Sequence, residues 1–239
     1  YTGCCTAHNA HCIFMETDSK NIAGGRGISR KTLDEIYRAG ADIVTSGNHI
    51  WDQKEIVSFI DDEPFLIRPA NYPEGAPGKG YCIYPFKAKN IGVINVSGRT
   101  FMPPMDCPFQ KVDEILKEIK NQCDIILVDI HAEATSEKIA MGFYLDGKVT
   151  CVVGTHTHVQ TADNRILPKG TAYISDLGMV GPYNSSLGIN VNNAIDKFIT
   201  CRPVRFEMAE GPNIFSAVVL ELAEDNSVKS FERILFNEE

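Results

Sequence analysis

Short apolar runs and amphipathic segments alternate along most of this chain. Leu33, Ile36 and Tyr37 recur at helical spacing within residues 31–38, which predicts an amphipathic helix. Similar segments predict further helices at 54–60, 110–120 and 136–144. Compact apolar runs predict strands, which cover residues 43–44, 81–86, 91–96, 125–131, 149–153 and 172–175.

The last part of the chain changes character. Two runs, 214–222 and 228–236, flank a polar segment, which favours two antiparallel strands joined by a turn. Strands mixed with crossover helices predict a layered α/β sandwich. A length of 239 residues with 44% hydrophobic content suits a single domain over residues 1–239.

The charge and the apolar runs restrict the partners that we expect. A net charge of −8 argues against non-specific binding to nucleic-acid backbones, because such binding depends on clustered Lys and Arg. A small phosphate-bearing substrate is compatible with it, since bound metal ions would supply local positive charge. No apolar stretch reaches the length of a membrane span, and no signal-peptide pattern begins the sequence. We therefore expect a cytoplasmic protein without a membrane partner, and the sequence leaves a homo-oligomer open.

Histidines lie at the ends of the predicted strands. Four of the six histidines occupy such positions: His49, His131, His156 and His158. Ligands bind at strand exits in open α/β sheets, and imidazole is a common metal ligand. If the strand continued through residues 154–158, the last two of these side chains would point the same way. One histidine at a strand end is more often structural, but four together with Asn48 favour a metal site.

These residue types suit metal-assisted phosphoester hydrolysis. The reaction needs two nearby cations, an acidified water and donors around the phosphoryl oxygens. Asn48 offers an amide oxygen to a metal, and His131, His156 and His158 offer imidazoles. His49 would face the other way along an extended chain, which makes it the candidate that protonates the leaving alkoxide.

Several motifs resemble a known family. Residues 47–49 (Gly-Asn-His), 129–133 (Asp-Ile-His-Ala-Glu) and 154–158 (Gly-Thr-His-Thr-His) look like calcineurin-like metallophosphoesterase motifs. More narrowly, residues 48–52, 68–71, 131–138 and 158–165 resemble the bacterial YmdB-like branch, and the match runs from about Asn21 to the C-terminus.

The resemblance implies a fold and a reaction. The implied fold is a four-layer αββα sandwich. The implied reaction is phosphodiester hydrolysis, including that of 2′,3′-cyclic or other small nucleotides, by attack of a metal-bound hydroxide. The implied cofactor is a pair of divalent ions, Fe or Mn in the first place, with Zn or Mg as alternatives.

Residues 1–20 depart from the pattern of this branch. Its members begin with a strand that ends in a metal-binding Asp, and the sequence predicts no such strand here. Lys20 stands where the branch has a bridging Glu, and an ammonium would add to the repulsion between two cations. We expect a truncated or divergent N-terminus. The alternative to an active enzyme is therefore a catalytically impaired member that binds nucleotides or acts in regulation.

Other residues carry open alternatives. Asn21 matches the position after the missing Glu and is expected close to the metal. Arg26 either reaches a phosphate from a Gly-rich loop or lies in a plain turn. Arg99 either binds substrate or, more commonly for such residues, pairs with a surface carboxylate.

Two acidic residues and two aromatic residues complete the candidates. Glu133 and Glu137 either orient the ligating imidazoles or are solvated. Trp51 and Phe101 are expected in the core rather than stacked on a nucleobase.

Overall fold

The computed structural model describes residues 14–17, for which only the backbone is considered, and residues 27–238. In chain order the strands and helices are β1 (Phe14–Thr17), α1 (Arg30–Arg38), β2 (Ile43–Ser46), β3 (Leu66–Ile67), β4 (Tyr81–Phe86), β5 (Lys89–Ser97), α2 (Pro108–Ile119), β6 (Ile125–His131), α3 (Thr135–Leu145), β7 (Cys151–Thr155), β8 (Arg165–Ile166), β9 (Ala172–Ile174), β10 (Val180–Pro182), α4 (Val191–Thr200), β11 (Asn213–Leu222) and β12 (Val228–Asn237). Two short 3₁₀ helices, Lys54–Ser58 and Ile60–Asp62, lie between β2 and β3. No helix in the described ranges is long and apolar enough to cross a membrane.

The described strands form three sheets. The largest has the order β4-β5-β6-β7-β9-β8, and its four central strands are parallel. A second sheet, β1-β2-β3, is parallel throughout. The third, β10-β11-β12, is antiparallel and contains the predicted C-terminal hairpin.

The apolar clusters show how these elements are layered. One face of the large sheet packs against α2 and α3, through side chains such as Val128, Ile115 and Met141. Its other face packs against the two smaller sheets. Helix α1 covers the outer side of the β1-β2-β3 sheet, where Leu33 contacts the cluster around Val44. Helix, sheet, sheet and helix therefore follow one another, as in the expected αββα sandwich.

Side-chain alternation along the strands directs the chemical groups into the layer between the sheets. In β6, Val128 and Ile130 face the helices, whereas Leu127 packs on the opposite side. Asp129 shares that opposite side, because its carboxylate accepts a 2.7 Å hydrogen bond from Thr45 in β2. His131 follows at the same alternation. The polar end of the inter-sheet layer is thus where β2, β6 and β7 end.

The structure departs from the predicted elements at several places. Residues 54–60 form two short 3₁₀ helices, separated at Phe59, rather than one helix. A strand does lie within residues 1–20, since β1 pairs in parallel with β2. The hydrogen-bonded pairing with β2 defines this strand, whereas the sequence of residues 1–20 shows no strand-like alternation of apolar and polar residues. Helix α4 was not predicted, and its apolar residues Phe198 and Ile199 are exposed instead of forming a buried stripe.

Candidate metal centre

Three side chains bring potential metal-donor atoms together at the strand ends. His131 ends β6, Asn48 is the second residue after β2, and His156 directly follows β7. His131 Nε2 lies 2.8 Å from Asn48 Oδ1 and 3.0 Å from His156 Nδ1. Ligand atoms on one cation are roughly 3 Å apart, because each ligand bond is about 2.1 Å long. The spacing of the three atoms therefore suits a shared cation.

The amide of Asn48 is an essential part of this donor set. Among the side chains of residues 27–238, no three from His, Cys, Asp or Glu are grouped so that they could bind a metal ion. The amide oxygen of Asn48 is therefore the third donor atom, beside the imidazole nitrogens of His131 and His156. Asn21 and Arg26, the other predicted site residues from the N-terminal part, lie outside the described residues.

Hydrogen bonds on the far side of His131 determine which ring nitrogen faces the donors. Thr155 Oγ1 donates a 2.9 Å hydrogen bond to Asp129 Oδ1. A hydroxyl has a single proton, so Thr155 Oγ1 accepts from His131 Nδ1 at 3.1 Å. His131 then carries its proton on Nδ1, and Nε2 presents a lone pair toward Asn48.

His156 is oriented in a similar way. Glu133 Oε2 lies 3.1 Å from His156 Nε2, where a carboxylate accepts the ring N–H. His156 Nδ1 then presents its lone pair toward His131 Nε2. Three electron-rich atoms converge, and a bound cation would offset their mutual repulsion. The chemistry of the donor set therefore fits a divalent metal.

Gly47 makes the approach to His131 possible. A Cβ atom at this position would lie 2.2 Å from His131 Cε1 and 2.3 Å from His131 Nε2. Such distances are far inside van der Waals contact, so any larger residue would displace the ring. The backbone before Asn48 thus lies directly against the imidazole that Asn48 faces.

Two assumptions about strand geometry are wrong. Strand β7 ends at Thr155, and His156 and His158 have positive φ angles of 98° and 64°, so these side chains do not alternate as in a strand. His158 is buried two residues beyond His156. His49 lies in a turn rather than an extended segment, and its Nδ1 is 2.9 Å from Asp52 Oδ2. The acid role of His49 and the metal role of His158 stay predictions.

The loop of residues 98–105 lies beside the centre and is fixed at both ends. Gly98 donates its N–H to the carbonyl of His131 at 2.9 Å. The buried Asn71 amide donates to the carbonyls of Ser97 and Asp106 at 2.8 and 2.9 Å. Asn71 belongs to the Arg-Pro-Ala-Asn motif at 68–71, which thereby connects the two ends of this loop.

Glu137 also fixes this loop. Its carboxylate accepts the backbone N–H groups of Arg99 and Thr100 at 3.0 to 3.3 Å. The hypothesis that Glu137 orients an imidazole therefore finds no support in these contacts, whereas Glu133 does contact one. Within the described chain, Arg99 makes no ion pair, so the expected partner carboxylate is not found there.

The two aromatic candidates differ from each other. Phe101 is 91% exposed and has a positive φ of 60°, so its predicted place in the core is wrong. Polar contacts fix the backbone of this loop, and Phe101 belongs to none of the apolar clusters of the described residues. Trp51 is partly buried and packs edge-on against Tyr72, with ring centroids 5.7 Å apart.

Lys138 and Asp176 contact the segment that carries His156, and the sequence analysis did not single them out. Lys138 Nζ lies 2.9 Å from Asp176 Oδ2, and both side chains are buried beneath residues 155–157. A signal was present in the sequence. Lys138 shares a helical face with Met141 and Leu145, which are core residues, and a lysine on such a face needs a buried partner.

Comparisons with known proteins are consistent with this geometry. A family model described as YmdB-like protein matches residues 6–234. The 2′,3′-cyclic-nucleotide 2′-phosphodiesterase of Bacillus subtilis (strain 168) is 52% identical over 228 residues, which cover 95% of this chain and 86% of that protein. The crystal structure of a hypothetical protein from Thermus thermophilus superposes with a TM-score of 0.90 at 38% identity, covering 97% of this chain and 89% of that one. A Mycoplasma pneumoniae phosphatase structure gives a TM-score of 0.90 at 33% identity, covering 98% of this chain and 85% of that one.

Proposed function

This chain belongs to the YmdB-like family, and from that premise we propose that it is a metal-dependent phosphodiesterase acting on 2′,3′-cyclic or other small nucleotides. The resemblance drawn from the motifs is confirmed by this membership, and so is the calcineurin-like metallophosphoesterase fold. The observation that carries the proposal is the convergence of Asn48 Oδ1, His131 Nε2 and His156 Nδ1. The activity for which the Bacillus subtilis relative is named supports the choice of substrate.

The proposed cofactor is a pair of divalent ions, with Fe or Mn expected first and Zn or Mg as alternatives. Asn48, His131 and His156 would bind metal, and His158 and Asn21 are the further candidates. Such ions lower the pKa of a coordinated water and offset the negative charge of phosphoryl oxygens.

His49 is the proposed general acid. Hydrolysis of a cyclic diester adds water at phosphorus and breaks one bond between phosphorus and a ribose oxygen, which must then take up a proton. Asp52 Oδ2 lies 2.9 Å from His49 Nδ1, where the carboxylate accepts the ring N–H and orients the imidazole. His49 Nε2 is the nitrogen that would deliver the proton.

The loop of residues 98–105 is the proposed substrate contact. Its backbone is fixed next to His131, and its exposed residues include Arg99, which carries a guanidinium, and Phe101, which carries an aromatic ring. A guanidinium suits phosphate oxygens, and an exposed ring suits stacking with a nucleobase, worth about 1–3 kcal/mol per base. Arg26, which lies outside the described residues, remains a second candidate for the phosphate.

The proposal is tested with His131→Ala and His156→Ala. Each variant, supplied with Mn²⁺, should hydrolyse 2′,3′-cyclic AMP more than about 100-fold more slowly than wild type, because ligand loss exceeds the effect of losing an outer partner. Lys229→Ala, which removes an exposed ion pair with Glu221, serves as the control and should retain full activity. Melting temperatures verify that each variant is folded.

Two outcomes would change the proposal. Wild-type rates in both histidine variants would contradict the metal assignment. Nucleotide binding without turnover by the wild-type protein would favour the impaired, nucleotide-binding alternative that Lys20 suggests.

A further inference from the structure

A buried ion pair lies directly beneath the loop that carries His156. Lys138 comes from α3 and Asp176 follows β9, and their side chains are 1% and 0% exposed. Burying two charges costs desolvation free energy, so such a pair contributes little net stability. Net stability alone is therefore a weak explanation for a buried ion pair at this position.

The pair contacts the loop through several atoms. Lys138 Nζ donates to the carbonyl of Thr155 at 3.2 Å and approaches Thr157 Oγ1 at 3.4 Å. Asp176 Oδ2 accepts the Thr157 backbone N–H at 3.0 Å and its hydroxyl at 2.6 Å. Asp176 Oδ1 accepts the N–H of Gly178 at 2.9 Å. Thr157 is thus fixed by both its backbone and its side chain.

The loop itself has a strained backbone. Thr157 lies between His156 and His158, whose φ angles of 98° and 64° are rare for residues with a side chain. Residues held in such conformations cost free energy and persist only when their surroundings impose them. The contacts to Thr157 are the ones in position to impose this conformation on both histidines.

The route that Lys138 takes is also specific. A Cβ atom at Gly154 would lie 2.7 Å from Lys138 Cδ and 1.9 Å from the carbonyl oxygen of Ser175. Because Gly154 has no side chain, the lysine stem passes across β7 and reaches the loop beyond it. The path of the Lys138 side chain therefore depends on Gly154, and its contacts at the end of that path are with Thr155 and Thr157. All three residues belong to the motif at 154–158.

From these contacts we propose that Lys138 and Asp176 are positioning residues, which fix Thr157 and thereby aim His156 at His131 and Asn48. The inference rests on the proposed function, since it concerns the metal centre that carries out that function. It predicts that metal affinity depends on this pair even where stability does not.

The test compares Lys138→Met, Asp176→Asn and the double variant Lys138→Met/Asp176→Asn. Each single variant leaves one buried charge without its partner and should lower the melting temperature strongly. The double variant removes both charges and should melt close to wild type. Its affinity for Mn²⁺, measured by calorimetry on chelator-treated protein, should nevertheless fall at least about tenfold. A merely structural pair would restore stability and affinity together.

The outcomes separate the two proposals. If wild-type protein and His131→Ala bind Mn²⁺ equally, the proposed metal centre itself is wrong. If wild type binds Mn²⁺ more tightly than His131→Ala does and the double variant matches wild type, only the positioning role is overturned.

Thr157→Val is the second variant, in case the double variant does not fold. It removes the hydroxyl that contacts both charged groups and leaves the pair in place. Weaker Mn²⁺ binding with a melting temperature near that of wild type supports the positioning role, and unchanged Mn²⁺ binding overturns it. Lys148→Met, which removes a partly exposed pair with Asp113, is the control and should change neither quantity.

Discussion

Two loops deliver side chains to His131, and they are held in opposite ways. The first, residues 47–50, follows β2 and carries Asn48; none of its four residues, all within the described part of the chain, has a positive φ. It needs only the space that Gly47 leaves beside the imidazole. The second, residues 155–158, follows β7 and carries His156 in a strained conformation above two buried charges.

The difference shows two solutions to the same geometric problem. An unstrained loop can bring a donor close when the neighbouring backbone presents no side chain. A strained loop must be fixed by contacts whose free energy exceeds the strain. The first loop should therefore be sensitive to added volume, and the second to lost polar contacts.

The largest effect is expected for Gly47→Ala. The added methyl would overlap the His131 ring, so the ring must move away from Asn48 and His156. Hydrolysis of 2′,3′-cyclic AMP with Mn²⁺ should fall more than about 100-fold. Gly75→Ala is the control for an added methyl group, since no atom lies within 4 Å of the added Cβ even though its φ is positive at 90°, and it should remain active. Equal activities of the two variants would contradict the predicted sensitivity of the first loop to added volume.

A smaller loss is expected for Thr155→Val at the start of the second loop. The change keeps the shape of the side chain but removes the hydroxyl between Asp129 and His131. The imidazole loses the contact that selects its tautomer, so Mn²⁺ affinity should fall about 10- to 100-fold. Calorimetric titration at constant pH measures it. A Mn²⁺ affinity equal to that of wild type would contradict the predicted sensitivity of the second loop to lost polar contacts.

Phe101→Ala extends the comparison to the loop of residues 98–105, which supplies no donor atom to the proposed metal centre. Loss of base stacking should raise the KM for 2′,3′-cyclic AMP about tenfold and leave kcat unchanged. The KM for glycerol 1,2-cyclic phosphate, which lacks a base, should not change. Phe198→Ala, at another exposed phenylalanine, is the control. Equal KM shifts for both substrates would argue against a nucleobase contact.

The smallest effect is expected for Asp163→Asn, behind the second loop. Asp163 accepts hydrogen bonds from Ser175 and Thr161. Burial raises its pKa, but these hydrogen bonds outweigh burial and bring the pKa below the ordinary value. A lowered carboxyl pKa means that the stabilisation is complete above the unfolded-state value of about 3.9 and is lost as the pH falls through the folded value.

The variant should therefore melt a few degrees lower than wild type near pH 7, where about 1 kcal/mol corresponds to roughly 2–4 °C. The gap should narrow below about pH 4, because a protonated Asp resembles Asn. Melting curves across this range measure the gap, and a gap independent of pH would contradict the assigned cause.

Much of the sheet could be predicted because apolar runs determine buried parallel strands. The bounds of β4 and β6 match the predicted runs at 81–86 and 125–131. β1 was not predicted, because its pairing with β2 defines it and the local side-chain pattern does not. Helix α4 escaped prediction because Phe198 and Ile199 do not form a buried face.

The site was predictable in its residue types but not in its geometry. The Gly-Asn-His, Asp-Ile-His-Ala-Glu and Gly-Thr-His-Thr-His motifs led to Asn48, His131 and His156, which converge in the structure. The local pattern could not show that His156 leaves the strand at a positive φ, because that conformation depends on Lys138 and Asp176 from distant elements. Contacts between remote parts of the chain are not encoded in a local pattern.

The most direct test of the account is the rate of 2′,3′-cyclic AMP hydrolysis by chelator-treated wild-type protein as Mn²⁺ is added back. The account predicts no turnover without metal and a saturable rise to full activity as the ions bind. Turnover that persists in the stripped protein, or its absence at saturating Mn²⁺, would contradict the claim that this chain is a metal-dependent phosphodiesterase.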